Sequence, residues 1–115
     1  MLSRRAAGTA LLILGLVTGE HAALAGSAEN GKRVYMRVGC WQCHGTVGQG
    51  GTAGPRIAPD PLPYEALSAF VRTTNRAMPP YREAVLPNDE LADIYAYLQS
   101  IPKPPPAETL PLLKP

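Results

Sequence analysis

The chain has 115 residues but only two cysteines, and its 11 Lys/Arg nearly balance its 9 Asp/Glu. Two cysteines close at most one disulfide, so cross-links cannot supply much of the fold. A net charge of +2 is too small for the footprint of a nucleic-acid binder. Runs of Val, Ile and Thr of strand length are missing, which speaks against a regular β-sandwich. Glycine is absent after Gly54 and proline is absent before Pro55. The 11 glycines show no three-residue period, which excludes collagen. At this length a single domain is the expectation.

Long apolar runs are also missing. The longest, Ala6 to Val17, has 12 residues, and a membrane span needs roughly 20. Arg4 and Arg5 precede it, a more polar stretch (Thr18 to His21) follows, and Ala23-Leu24-Ala25 offers small residues for cleavage. That order reads as a secretory signal peptide cut after Ala25. The alternative is an uncut N-terminus that anchors the protein to a membrane. A lipid anchor would need cysteine after Leu24-Ala25-Gly26, and the residue there is Ser27. The organisation expected is therefore a signal peptide over 1–25, a domain over 26–101 and a proline-rich tail over 102–115. Beyond Ala25 there remain 90 residues with nine Lys/Arg and eight Asp/Glu. Domains this small often add a metal or cofactor to a core that barely suffices.

The two cysteines indicate which. Gly39-Cys40-Trp41-Gln42-Cys43-His44-Gly45 contains Cys-x-x-Cys-His, the attachment signature of c-type haem. Two thiols three residues apart each form a thioether to one vinyl group of a porphyrin, and His44 then supplies an imidazole nitrogen to the iron. Three other uses compete. A redox dithiol follows a strand in a βαβ pattern, whereas residues 27–39 read as helix. Structural zinc needs about four ligands, and the chain beyond Ala25 has no other His or Cys. A disulfide this short closes a tiny loop and stabilises little.

Three helices are expected. Ser27 caps the first, which runs to about Val38 with Val34, Tyr35 and Val38 as its apolar stripe. The second begins at Pro63 and places Tyr64, Leu67, Phe70 and Val71 on one face. The third is capped by Asn88, carries Asp89, Glu90 and Asp93 near its positive end, and repeats Leu91, Ile94, Tyr95 and Leu98 at helical spacing. The glycine-rich stretch from Gly45 to Gly54 lacks the lysine and helix of a phosphate-binding loop, and close approach of backbone to the haem is the better reading. The tail has six prolines in 14 residues and reads as polyproline II or disordered, either a loose end or a segment that lies along a partner through Leu110, Leu112 and Leu113.

Over residues 27–101 the chain resembles small bacterial class I cytochromes c. The resemblance implies an all-α cytochrome c fold, with three or more helices wrapped around one covalently attached haem c. Met78, in Arg76-Ala77-Met78-Pro79-Pro80-Tyr81, matches the family's Met-Pro loop and is the implied second iron ligand. The other candidate, Met36, lies on the helix before Cys40 and cannot easily reach the opposite haem face. Pro55, in Gly54-Pro55, matches the proline whose carbonyl accepts a hydrogen bond from the ligating histidine. Gly31 and Tyr35 match positions where the first helix crosses the last, and Tyr97-Leu98 matches the family's pair near the end of the last helix. Arg56, Tyr64, Arg72 and Arg76 are candidate contacts to haem propionates. The implied role is a periplasmic electron carrier in a respiratory chain, not an enzyme. Its electrons would pass an exposed edge near Trp41, Gln42 and the Met78 loop. The implied partners are redox proteins: a periplasmic dehydrogenase as donor, and an oxidase or another cytochrome as acceptor. The Arg-Ala-Met-Pro stretch and the proline-rich end are similar to cytochrome subunits of flavoprotein dehydrogenases. Two rival functions remain: a haem enzyme or gas sensor with an open distal site, and a thiol–disulfide oxidoreductase.

Overall fold

The computed structural model describes residues 26–113. The signal peptide expected over 1–25, and Lys114 and Pro115 of the tail, lie outside the described residues. The described chain is helical: α1 (Ala28–Arg37), α2 (Trp41–His44), α3 (Tyr64–Thr73) and α4 (Asn88–Ser100), then two 3-10 turns, Ala107–Thr109 and Pro111–Leu113. There is no strand among the described residues. Nor is any described helix long and apolar enough to cross a membrane.

The N-terminus of α1 is built as its sequence demands. The Ser27 hydroxyl accepts the Asn30 N–H at 3.2 Å, a side-chain cap for an otherwise unpaired amide. Val34 and Tyr35 are buried on the face that crosses α4. At the crossing, a Cβ on Gly31 would collide with the Asp93 carbonyl, so glycine lets the two helix backbones meet.

Asn88 is not the cap of α4. Pro87 flanks that helix and Asn88 is its first residue, with no side-chain cap. The reason lies in what the Asn88 side chain meets: its Oδ1 accepts from Arg72 Nη2 at 2.8 Å and its Nδ2 donates to Glu83 Oε1 at 3.0 Å. Asp89 and Glu90 occupy the first turn, where negative charge suits the helix dipole. Asp93 has a different task. Its carboxylate accepts from the Ser27 N–H and from Asn30 Nδ2, both at 2.6 Å, and so fastens the start of α1 to α4. Leu91, Ile94 and Leu98 are buried, together with Tyr97, while Tyr95 is only half-buried.

The start of α3 is one residue later than expected. Pro63, with ψ 143°, is extended rather than helical and flanks the helix, and Leu67 N–H donates to its carbonyl at 3.0 Å. The expected single apolar face is also divided. Val71 is buried, Phe70 is 49 % exposed, and the Tyr64 ring meets Tyr95 edge-on with centroids 5.4 Å apart. In the tail, 102–106 carry no regular element and the two 3-10 turns follow, and residues 102–112 are exposed.

Candidate functional site

After α1 the chain turns at Gly39, whose φ is +85°, a conformation side chains rarely adopt. The turn feeds Cys40 directly into α2. His44 N–H donates to the Cys40 carbonyl at 3.0 Å and Gly45 N–H to that of Trp41 at 2.9 Å. Cys40 and Cys43 therefore sit three residues apart on one helical turn, a spacing that places side chains on the same side. Cys40 is half-buried and Cys43 exposed, and no disulfide joins them. Burial pushes the Cys40 thiol up to about 11. Trp41 is 40 % exposed and Gln42 is exposed beside it.

His44 is buried. Its Nδ1 lies 2.7 Å from the Pro55 carbonyl oxygen. A carbonyl only accepts, so Nδ1 carries the proton and Nε2 keeps its lone pair for a metal. The loop from Gly45 to Ala58 makes this brace. Gly50 N–H donates to the His44 carbonyl at 2.8 Å, and Ile57 and Ala58 N–H both donate to that of Gly48, at 2.8 and 3.0 Å. Gly48 has φ +68°, and a Cβ there would stand 2.8 Å from that of Ala58. The glycines of this stretch let the loop fold back on itself: a Cβ on Gly50 would meet the Arg56 N at 2.6 Å, and none of these glycines is on the wall of the cavity described below. Two tyrosines hold the loop's start. Tyr35 donates to the Gly45 carbonyl at 2.7 Å and Tyr97 to that of Thr46 at 2.8 Å, with the rings edge-to-face at 5.5 Å. Burial holds both phenols above their usual range.

Above His44 lies an apolar cavity of about 400 Å³. Cys40, His44, Pro55 and Met78 are on its walls, with Leu67, Phe70, Val71, Leu86, Leu91, Ile94 and Leu98 supplying apolar surface. Met36 is 39 % exposed on α1 and is not a wall residue. Of the basic and phenolic candidates, Arg56 lines the cavity. Tyr64 donates instead to the Asn88 carbonyl at 3.3 Å, and Arg72 to the Tyr81 carbonyl at 2.7 Å. Arg76 is exposed, and none of these three is on the wall. Sequence reasoning missed Tyr81, Ile57 and Leu86 as wall residues. Tyr81 carried a signal, an aromatic directly after Met-Pro-Pro; Ile57 and Leu86 stand alone in loops without periodicity.

The donor set fits a haem. A thioether and an imidazole nitrogen suit its iron, a thiol suits its vinyl group, and the walls suit its apolar ring. Helices around an apolar cavity, with Cys40 and His44 of the Cys-x-x-Cys-His turn on its wall and the exposed Cys43 beside them, define a class I c-type cytochrome domain. A family profile described as cytochrome c oxidase, cbb3-type, subunit III matches residues 26–98, more than half of the chain, and the chain belongs to that family. Membership carries with it haem c, electron transfer and redox proteins as partners. No curated protein and no solved structure gives a significant match.

Proposed function

We propose that the protein is a periplasmic monohaem cytochrome c that carries single electrons from a dehydrogenase to a downstream acceptor, with His44 and Met78 as the axial ligands. The observation that carries this reading is the presence of His44 and Met78 on the walls of one apolar cavity. When bound, haem c supplies a one-electron couple at its iron. Cys40 and Cys43 would hold it covalently. His44 would bind through Nε2, oriented by the Pro55 carbonyl. Met78 would supply its thioether to the iron, and a methionine ligand would raise the reduction potential and compete with any substrate or gas. The apolar walls would keep water from the ring, and Arg56, on the wall, would be the cation to meet a propionate.

Arg4-Arg5, the apolar run and Ala23-Leu24-Ala25 support export and cleavage after Ala25. A flavoprotein dehydrogenase is the donor supported by sequence similarity in the Met78 stretch and the tail. The family's description names an oxidase, which supports an oxidase or another cytochrome as acceptor. The test is a visible spectrum of the oxidised protein and of Met78→Ala. The parent should show the methionine–iron charge-transfer band and the variant should lose it. A parent without the band, or one that binds carbon monoxide readily when reduced, would mean an open distal site and an enzyme or sensor instead.

A further inference from the structure

The Met78 loop has little of its own to hold it. It leaves α3 at Thr74 and returns at Tyr81. Met78 is followed by Pro79 and Pro80, which have no N–H to donate. Within the loop the Thr74 hydroxyl reaches the Met78 carbonyl only at 3.5 Å, the outer edge of hydrogen bonding. The loop is fastened at its exit.

Every polar group of Tyr81 is engaged there. Its N–H donates to the Val71 carbonyl at 2.9 Å, its carbonyl accepts from Arg72 Nη1 at 2.7 Å, and its hydroxyl donates to the Val38 carbonyl at 2.8 Å. Arg72 extends the connection. Its Nη2 donates to Asn88 Oδ1 at 2.8 Å, and Asn88 Nδ2 in turn donates to Glu83 Oε1 at 3.0 Å. The ends of α1 and α3 and the start of α4 thus converge three residues after Met78. Among the described residues Arg72 has no carboxylate within salt-bridge distance; its guanidinium serves a main-chain oxygen and an amide oxygen, and charged donors make the stronger hydrogen bonds. This is an unusual use for an arginine that sequence alone offered as a propionate contact.

The geometry points to Arg72 and Tyr81 as positioning residues for Met78: a latch at the loop's exit that sets how readily its thioether yields to another ligand. This rests on Met78 being an iron ligand. For another ligand to take its position the loop must swing outward, and it is hinged at Thr74, where Thr74 N–H still holds the Phe70 carbonyl at 2.9 Å. With the exit pinned, swinging breaks the bonds to Tyr81. With the exit free, the loop moves without that cost.

The test uses the haem-loaded chain in its oxidised form. Imidazole is titrated while the methionine–iron charge-transfer band is followed, in the parent, Arg72→Leu, Arg72→Lys, Tyr81→Phe and Arg33→Ala. The latch predicts imidazole affinity about tenfold higher for Arg72→Leu and several-fold higher for Tyr81→Phe, as expected for loss of one or two hydrogen bonds. Arg72→Lys, which keeps the charge and one donor, should fall between Arg72→Leu and the parent. Arg33→Ala, which removes an exposed pair with Glu29 and a hydrogen bond to Asn30 Oδ1, neither of them at the loop, should match the parent. If Arg72→Leu does not fold, the lysine and phenylalanine variants carry the comparison. Affinities within twofold of the parent in the folded variants would overturn the latch while leaving Met78 as a ligand. A parent without the band would overturn the ligand assignment and the latch with it.

Discussion

At Gly31 the absence of a side chain is itself structural. A Cβ there would run into the Asp93 carbonyl, and neither helix backbone can yield cheaply. Gly31→Ala should therefore lower stability by about 2 kcal/mol or more, despite the better helix propensity of alanine. A denaturant midpoint unchanged from the parent would refute the close crossing. The phenols give a prediction in pH. Tyr35, Tyr81 and Tyr97 are all held above the usual value of 10.0, chiefly by burial. Unfolded, they ionise near 10; folded, they ionise later. Their contribution to stability is thus complete below that pH and is lost as pH rises through the folded values. Phenolate absorbance of the folded protein should lag behind that of the unfolded chain above about pH 10. The unfolding midpoint should fall over the same range. Coincident titration curves would show that these phenols are not buried in the folded protein.

Between elements, the contact to test is Asp93. Its two oxygens accept from the Ser27 N–H and Asn30 Nδ2, so one side chain of α4 secures the first turn of α1. Asp93→Ala should cost about 1–3 kcal/mol by leaving those donors without partners, and Asp93→Asn should cost less because one acceptor remains. Urea unfolding of both variants checks the order. The same residue shows where sequence reading stops. Its charge near the start of α4 was legible from the dipole rule, but its partners lie more than sixty residues earlier and leave no local trace. The helices themselves were legible because Val34, Tyr35, Leu91, Ile94 and Leu98 repeat with helical spacing. The brace between His44 and Pro55 was legible only through resemblance. Asn88 misled because asparagine serves equally well as a cap and as a bridge, and its neighbours in space decide which. The arginines were opaque for a related reason. Whether Arg56 or Arg72 faces the cavity depends on the path of the loops, and loops have no period to read.

For the molecule as a whole, the domain and its tail should be separable. Residues 102–112 are exposed, and the ion pair from Lys103 to Asp60 joins side chains that are 73 % and 70 % exposed. Pairs of that kind contribute about 0–1 kcal/mol. A chain ending at Ile101 should retain haem and unfold within about 1 kcal/mol of the parent, as thermal or urea melts would show. A larger loss would mean that the tail belongs to the domain. The other end of the domain has the opposite character. Gly26 lies so tightly against the Ala92 carbonyl that a Cβ could not fit, and Ser27 is held by Asp93 at its N–H and by Asn30 at its hydroxyl. If export ends with a cut after Ala25, a protease that threads an extended peptide through its cleft would find the next two residues already docked. On that condition, processing would come before α1 settles on α4. On the same condition, a precursor whose α1 had already settled on α4 would present that bond poorly to the protease.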